Sequence, residues 1–318
     1  MSISPSAHAS PSGPHPITSV RSVAIAVADL PVARGFYRDL WQLDLVEEER
    51  GRSWFGSGCP SNYIVKLRQN DVAGIELTTF DVRDRAGVDA LFERVARSGA
   101  QIIREPGDRP ELGGGYSCAF FDCDGRALEL ATEVEQRAHR PVERGESRPK
   151  FISHVVFNTT DVNRTVAWYG EVLGFKISDW LQDFFCFMRT GSWHHIIAFA
   201  KSKHTSLNHV SFELNGIDEF MRGTGRIMRA GVQPLWGPGR HGAGDNTYSY
   251  FQEPSSGFVM EYTTELIQID EEHGWTPKVW GTMPEEQDQW GTANAFDELI
   301  LAKMTPASDP VLWTPPRA

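Results

Sequence analysis

The chain has 318 residues, a formal net charge of −11 at pH 7 and four cysteines. The excess of carboxylates repels a phosphate backbone, so nucleic acid is not an expected partner. The longest apolar runs fall far short of the roughly 20 residues that a membrane span needs, and the cysteines form no CxxC pair. We therefore expect a soluble, cytoplasmic protein that folds without disulfides and is long enough for two domains.

Composition divides the chain into five segments. Residues 1–17 are rich in Ser, Pro, Ala and His, which predicts a disordered tail. Residues 134–150 are charged and contain proline, as expected of an exposed linker between two modules, 18–133 and 151–269. Residues 270–318 are rich in Trp, Pro and acidic residues, and we predict an extended C-terminal arm that covers a pocket or clasps a neighbouring subunit.

The two modules repeat one pattern. SVAIAVADLPVARGFYRDLWQLDLV, from Ser22, aligns without gaps with HVVFNTTDVNRTVAWYGEVLGFKIS, from His154. Each segment predicts a strand, an Asp at a helix N-cap, a helix with an aromatic residue near its end, and a second strand. Further on, FFDCDGRALELATE resembles YFQEPSSGFVMEYTTE, and a strand followed by a helix lies between the matched segments in each half. The repeat predicts an α+β protein of two similar modules built around curved sheets.

Three residues that could bind a metal occur as a set only in the second module. They are His154 in FISHVVF, His209 in LNHVSFEL and Glu261 in FVMEYTTE, whereas the first module keeps only Ser22 and Glu129 at the matching positions. A single histidine in an apolar strand is more often a hydrogen-bonded core residue. Two imidazoles and one carboxylate together, however, are the facial triad that suits iron(II), although zinc also accepts them.

Other polar residues lie near this set in the sequence. His195, in SWHHIIAF, precedes His209 by 14 positions, and His241 and Tyr250 flank the loop GRHGAGDNTYSY. Such residues beside a metal would supply an acid, a base and hydrogen-bond donors. His241 could instead be a turn residue of a glycine-rich hairpin.

Several aromatic residues could form walls for a flat substrate ring, or could equally be plain core. They are Phe187, Trp193 and Trp236.

Taken together, these motifs resemble the type I extradiol dioxygenases of the vicinal oxygen chelate superfamily, such as catechol 2,3-dioxygenase and homoprotocatechuate 2,3-dioxygenase. The resemblance covers about residues 18–290. It rests on HVVF with the following NTTDV, the interval from His195 to His209, GPGRHG at 237–242, the step from His241 to Tyr250, and GFVMEYT.

The resemblance implies two tandem modules, each of paired βαβββ units, with the metal in the C-terminal module. It implies that His154, His209 and Glu261 bind iron(II), with manganese(II) as the other metal that the triad accepts. His195 then corresponds to the acid–base residue, and His241 and Tyr250 to partners of the substrate hydroxyls. The implied reaction opens a catechol-type ring with O2 beside its two hydroxyls, in a homo-oligomer for which a tetramer is favoured.

The sequence departs from that family at three places. Asn208 stands before His209, where relatives often have a second histidine. The segment from Tyr250 to Glu261 is one residue longer, so Phe251 could face the site instead of Tyr250. Trp236 occupies the position at which arylacetate-cleaving relatives carry an arginine, which favours an uncharged substrate tail.

Two alternative functions remain open from the sequence. The superfamily also contains isomerases, epimerases and glutathione transferases, which use ligands from both modules, and Glu129 is the one such candidate in the first module. It contains metal-free ligand-binding modules as well, which need no inward pair of histidines.

Overall fold

The computed structural model describes residues 14–270 and 273–314. Most of the predicted tail, residues 1–13, lies outside the described residues. The first module begins at Ile17 and contains eight strands and two helices: β1 (Ile17–Val27), α1 (Leu30–Gly35), β2 (Asp44–Glu49), β3 (Arg52–Gly56), β4 (Val65–Gln69), β5 (Gly74–Val82), α2 (Arg85–Arg97), β6 (Ile102–Asp108), β7 (Tyr116–Phe121) and β8 (Ala127–Thr132).

The second module repeats this order. Its elements are β9 (Phe151–Thr159), α3 (Val162–Trp168), β10 (Lys176–Leu181), β11 (Phe185–Arg189), β12 (Ile197–Lys201), β13 (Ser206–Glu213), α4 (Ile217–Arg229), β14 (Trp236–Arg240), β15 (Thr247–Gln252) and β16 (Val259–Thr264). Counterparts mostly lie 132 positions apart, as β8 and β16 do.

Strand pairing confirms the predicted fold class. The order is β2-β3-β4-β1-β5-β8-β7-β6 in the first module and β10-β11-β12-β9-β13-β16-β15-β14 in the second. Parallel pairs are β1 with β4, β5 with β8, β9 with β12 and β13 with β16, and the other neighbours are antiparallel. Each module is therefore a pair of βαβββ units in an α+β arrangement.

The local signals at the first helix of each module act as the sequence predicts. The carboxylate of Asp29 accepts a hydrogen bond from the backbone N–H of Val32 at 3.0 Å, and Asp161 caps α3 by accepting from Arg164 at 3.1 Å. Both helices continue into a π-helical turn, Phe36–Leu40 and Tyr169–Leu173, which the sequence pattern did not predict.

Each π-helical turn packs against the other module, so the two modules share one core. The Tyr37 hydroxyl lies 3.6 Å from the sulfur of Met260 on β16, and the Tyr169 hydroxyl donates to Asp122 at 2.8 Å. Trp41 stacks on Tyr262, with ring centroids 4.0 Å apart. Because Met260 and Tyr262 flank Glu261 on β16, this packing fixes the strand that carries the carboxylate.

The C-terminal arm lies against the second module as far as its last helix, and its end lies against the first module, where Trp313 stacks on Phe121 and its backbone N–H donates to the carbonyl of Gly125. It adds β17 (Lys278–Trp280) as a parallel neighbour of β10, followed by α5 (Pro284–Gln287) and α6 (Glu298–Met304). Ile300 and Met304 of α6 are buried. Among the helices of residues 14–270 and 273–314, none is long and apolar enough to span a membrane.

Candidate metal centre and its surroundings

Three adjacent central strands of the second module carry the predicted ligands. His154 lies on β9, His209 on β13 and Glu261 on β16. Ser211 of β13 pairs with His154 on one side and with Glu261 on the other, and His209 is two residues from Ser211. Since residues i and i+2 of a strand share a face, all three ligands point to the same side of the sheet.

The functional atoms of the three residues converge. Nε2 of His154 lies 3.0 Å and Nε2 of His209 lies 3.5 Å from Oε2 of Glu261. One ligand atom from each residue can be chosen such that all lie within 4.8 Å of one another, and all three residues are buried. Within residues 14–270 and 273–314, no second group of three His, Cys, Asp or Glu residues meets this condition.

The side chain of Asn208 leaves Nε2 of His209 free for a metal. Nδ1 of His209 lies 2.7 Å from the amide oxygen of Asn208, which can only accept, so Nδ1 carries the hydrogen. Asn208 in turn donates to Asn158 at 3.0 Å, and Asn158 donates to the carbonyl of Met304 in α6. Asn208 therefore orients the ligand as the outer partners of metal-binding histidines do.

The charge state of the group suits a divalent cation. Burial lowers the pKa of His154 and of His209 to about 3, so both imidazoles are neutral at pH 7. Neither oxygen of Glu261 and not Nε2 of His209 has a hydrogen-bond partner among the described residues. A buried carboxylate is costly unless a cation or donors compensate it, and a metal bound by these three atoms would do so.

His195 lies directly beside the ligands. Its ring is 4.2 Å from the ring of His154 and 4.9 Å from that of Phe187, measured between centroids. Burial, with the neighbouring histidines, lowers the pKa of His195 well below 6.5. His195 is therefore a neutral imidazole at pH 7, with a lone pair on one ring nitrogen.

His241 and Tyr250 form a hydrogen-bonded pair beside Glu261. Nδ1 of His241 lies 3.3 Å from the carbonyl of Gln287, and Nε2 lies 2.9 Å from the Tyr250 hydroxyl. Since the carbonyl requires the hydrogen on Nδ1, Nε2 accepts from Tyr250. Nε2 is also 3.9 Å from Oε1 of Glu261, and burial lowers the pKa of His241 to about 4.

The extra residue between Tyr250 and Glu261 does not displace the tyrosine. Tyr250 pairs directly with Glu261 across β15 and β16. The turn that follows β15 takes up the insertion, where the carboxylate of Glu253 accepts from the backbone N–H of Ser256 at 2.6 Å. Phe251 is fully buried against Trp41 on the opposite face.

Two of the three predicted wall residues contact side chains of the site. Phe187 is half-buried and contacts His195. Trp236 stacks on Tyr250 with centroids 5.4 Å apart, and its indole N–H donates to the carbonyl of Asn294 in the arm. Trp193 packs against Phe151, with centroids 5.9 Å apart.

Sequence reasoning missed four residues around the site. Tyr248 stacks on His241 with centroids 3.9 Å apart, and a buried chain of His194, Asp179 and Trp280 leads away from His195. The His194–His195 doublet was visible in the sequence. The contact of Asp179 and Trp280 with it was not, because three separate elements bring these residues together.

The first module has an internal ion pair where the second has its metal ligands. Glu129, the counterpart of Glu261, accepts from Arg109 at 3.0 Å and from Arg104 at 2.8 Å. Ser22 and Leu77 occupy the positions of the two ligand histidines. Two guanidinium groups thus compensate the carboxylate that a metal would compensate in the second module.

Comparison with known proteins agrees with this architecture. A family model described as Glyoxalase/Bleomycin resistance protein/Dioxygenase superfamily matches residues 19–130 and 151–262. Metapyrocatechase 2 of Cupriavidus necator is 26% identical over 283 residues, which cover 82% of this chain and 85% of that protein.

Two solved structures are similar over nearly the whole chain. The Mn(II)-bound glyoxalase from Novosphingobium aromaticivorans is 37% identical with a TM-score of 0.88, and covers 94% of this chain and 98% of its own. Homoprotocatechuate 2,3-dioxygenase from Arthrobacter globiformis is 24% identical with a TM-score of 0.81, over 95% of each chain. These matches confirm the resemblance to the type I extradiol dioxygenases that the sequence motifs indicated. The members of that group are enzymes.

Proposed function

The chain belongs to the Glyoxalase/Bleomycin resistance protein/Dioxygenase superfamily, and we propose that it is an extradiol dioxygenase that opens a catechol-type ring with O2. The observation that carries this proposal is the grouping of His154, His209 and Glu261 on one face, with neutral His195 beside His154 and the His241–Tyr250 pair beside His209 and Glu261. A ligand triad alone would serve many reactions. The two flanking elements supply a proton acceptor and a hydrogen-bond donor for a substrate with two adjacent hydroxyls.

We propose iron(II) as the metal, with manganese(II) as the alternative. The ligand set accepts either ion, and the 37% identical glyoxalase binds Mn(II). A bound divalent ion would favour ionisation of the catechol hydroxyls and provide a coordination position for O2.

In this proposal His195 takes up a proton released by the catechol. Burial keeps its imidazole neutral at pH 7, so one ring nitrogen has a lone pair. Its contact with the ring of His154 places it beside a ligand of the metal. The same residue can return the proton when the ring opens.

Tyr250 and His241 would hold a substrate oxygen near Glu261. Burial raises the pKa of Tyr250 well above 10, so its hydroxyl keeps its hydrogen at pH 7. His241 accepts a hydrogen bond from that hydroxyl in the structure. The hydroxyl can rotate about its C–O bond and donate to a substrate oxygen instead. Their role is orientation of the substrate.

The substrate of this proposal is a catechol with an uncharged ring substituent. Trp236 stands where a cation for a substrate carboxylate would be, and it stacks on Tyr250. Phe187, Trp193 and Trp236 are proposed as walls for the ring. We expect the protein to act in the cytoplasm in degradation of aromatic compounds, since all four cysteines are free thiols, and to form a homo-oligomer, with a tetramer favoured.

The test is a screen of substituted catechols with enzyme loaded anaerobically with Fe(II). After O2 is admitted, we expect O2 uptake together with a yellow ring-opened product. A variant His154→Ala should take up neither metal nor O2, whereas His204→Ala, at an exposed histidine, should behave as the parent. Metal-loaded protein that cleaves no member of the catechol series would contradict the proposal.

A glutathione-dependent isomerase is the second candidate, because one solved structure similar to this chain is a glyoxalase. Isomerisation of a methylglyoxal–glutathione adduct should therefore be assayed in parallel. That reaction does not consume O2, so the two activities are distinguished in a single set of reactions. We expect O2 consumption and no isomerisation.

A further inference from the structure

A chain of buried polar side chains, His194 and Asp179, continues from His195. Nδ1 of His195 lies 2.9 Å from Nδ1 of His194, and Nε2 of His194 lies 3.1 Å from Oδ2 of Asp179. The exposed fractions are 2%, 0% and 1%. Solvent therefore does not compete for these contacts, and the three groups must satisfy one another.

The C-terminal arm holds Asp179 in place. The indole N–H of Trp280 donates to Oδ2 at 2.7 Å, and the backbone N–H of Lys278 donates to Oδ1 at 2.8 Å. Both donors belong to β17, which pairs in parallel with β10 at Asp179. Burial alone would raise the pKa of Asp179, but the hydrogen bonds from His194 and from the arm bring its pKa below the ordinary value.

An ionised Asp179 determines where the hydrogens of the two imidazoles lie. A carboxylate can only accept, so Nε2 of His194 carries a hydrogen. In its neutral form His194 has one N–H group, so its Nδ1 has a lone pair and accepts from Nδ1 of His195. The remaining nitrogen of His195, Nε2, then has its own lone pair free.

We propose that Asp179 and His194 are positioning residues that hold His195 in its Nδ1–H tautomer, so that Nε2 is the proton acceptor on the substrate side. The consequence for turnover rests on the function proposed above, whereas the tautomer itself does not. In this proposal the arm has a structural role in the site. Trp280 and Lys278 hold the Asp179 carboxylate, which sets the hydrogen positions on His194 and then on His195.

The tautomer can be read directly by nitrogen NMR. The full chain is labelled with ¹⁵N-histidine and loaded with Zn(II), which is diamagnetic, and His195 is assigned by loss of its signals in His195→Asn. We expect hydrogen on Nδ1 and a bare Nε2 in the parent protein. In Asp179→Asn the new amide can donate to His194, which would place the hydrogen of His194 on Nδ1 and that of His195 on Nε2.

Kinetics test the consequence for turnover. Asp179→Asn should lower kcat by about 10² to 10⁴, the range typical for general acid–base catalysis, while metal content and KM for catechol stay close to the parent values. His194→Leu should behave in the same way. His194→Asn should recover most of the rate, because its amide oxygen can accept from Nδ1 of His195. Asp183→Asn, at an exposed aspartate of the same hairpin, is the matched control.

The outcomes separate this proposal from the proposed function. Hydrogen on Nε2 of His195 in the parent protein would overturn the positioning role, and this measurement does not depend on the folding of Asp179→Asn or His194→Leu. An unchanged tautomer and rate in Asp179→Asn would also overturn it, while ring cleavage by the parent enzyme would stand. The expected tautomer in a protein that cleaves no catechol would support the positioning role and overturn the proposed function.

Discussion

Three site histidines share one local device. In each case Nδ1 lies beside the side chain of the preceding residue: Ser153 for His154 at 3.3 Å, His194 for His195 at 2.9 Å and Asn208 for His209 at 2.7 Å. Each partner thereby constrains the ring and leaves Nε2 for chemistry. Asn208, a departure from the family pattern, thus holds the ring of the candidate ligand His209 through this hydrogen bond.

Replacing His195 tests its assignment to proton transfer. His195→Asn should lower kcat by about 10² to 10⁴, because the side chain lost would be the general base. Metal content, measured by elemental analysis of the same preparation, should stay near that of the parent protein. Loss of metal together with activity would instead make His195 a ligand.

Acid should destabilise the metal-free protein through its buried histidines. Burial lowers the pKa of His241 to about 4, so between about 6.5 and 4 the unfolded chain binds a proton that the folded protein refuses. The unfolded state then binds more protons, and the free energy of unfolding falls as the pH falls. Each such histidine contributes up to about 1.4 kcal/mol per pH unit.

Urea unfolding at pH 7.5, 6.5 and 5.5 measures this dependence. His241→Gln should reduce the slope by the share of one histidine, because Gln does not titrate. His204→Gln, at an exposed position, should leave the slope unchanged. A parent protein with the same free energy of unfolding at all three pH values would contradict the expected loss of stability as the pH falls.

In the first module, Arg109 directly after β6 and Glu129 on β8 form a charge pair at the place that corresponds to the candidate metal centre. Arg109 and Glu129 are both buried, and Arg109 also donates to Tyr63 at 2.7 Å. Arg109→Ala leaves the carboxylate without this partner and should cost about 3–5 kcal/mol in the free energy of unfolding. Arg97→Ala, at an exposed helix position, should cost little in the same denaturation experiment. A stable Arg109→Ala protein would show that the pair is dispensable.

The C-terminal arm makes contacts that a covering segment alone would not need. It reaches His241 through Gln287, Asp179 through Trp280 and Asn158 through Met304. Truncation after Gly274 should therefore lower kcat at least tenfold while the ligand residues remain. Steady-state kinetics and light scattering of the truncated protein check this, and unchanged kinetics with unchanged oligomer size would rule out both predicted roles of the arm.

For the whole molecule, the sequence repeat was enough to predict the architecture. The gapless alignment of Ser22 with His154 implied two equal modules, and period-two alternation put each ligand on a strand face. Whether Tyr250 or Phe251 faces the site depended on the strand register, which the sequence left open because of the extra residue at Ser255 and Ser256. The contacts of Asp179 and Asn158 join elements distant in the chain, so no local pattern could indicate them.

The two modules can be compared at a buried glutamate that each of them carries. One fold carries Glu129 with two arginines and the other carries Glu261 with two histidines, at equivalent places. Either a guanidinium group or a divalent ion can compensate the negative charge of a buried carboxylate. The proposed chemistry of the second module therefore requires that Glu261, His154 and His209 bind a metal.

The most direct test is to remove any metal with a chelator and then to measure metal binding by titration calorimetry, with Fe(II) under nitrogen and with Mn(II). We expect one ion per chain, and replacement of His154, His209 or Glu261 by alanine should abolish uptake in folded protein. The control is Glu265→Ala, at the residue directly after β16, which should bind the metal as the parent protein does. Undiminished binding of one ion per chain by the Glu261→Ala protein would contradict the account.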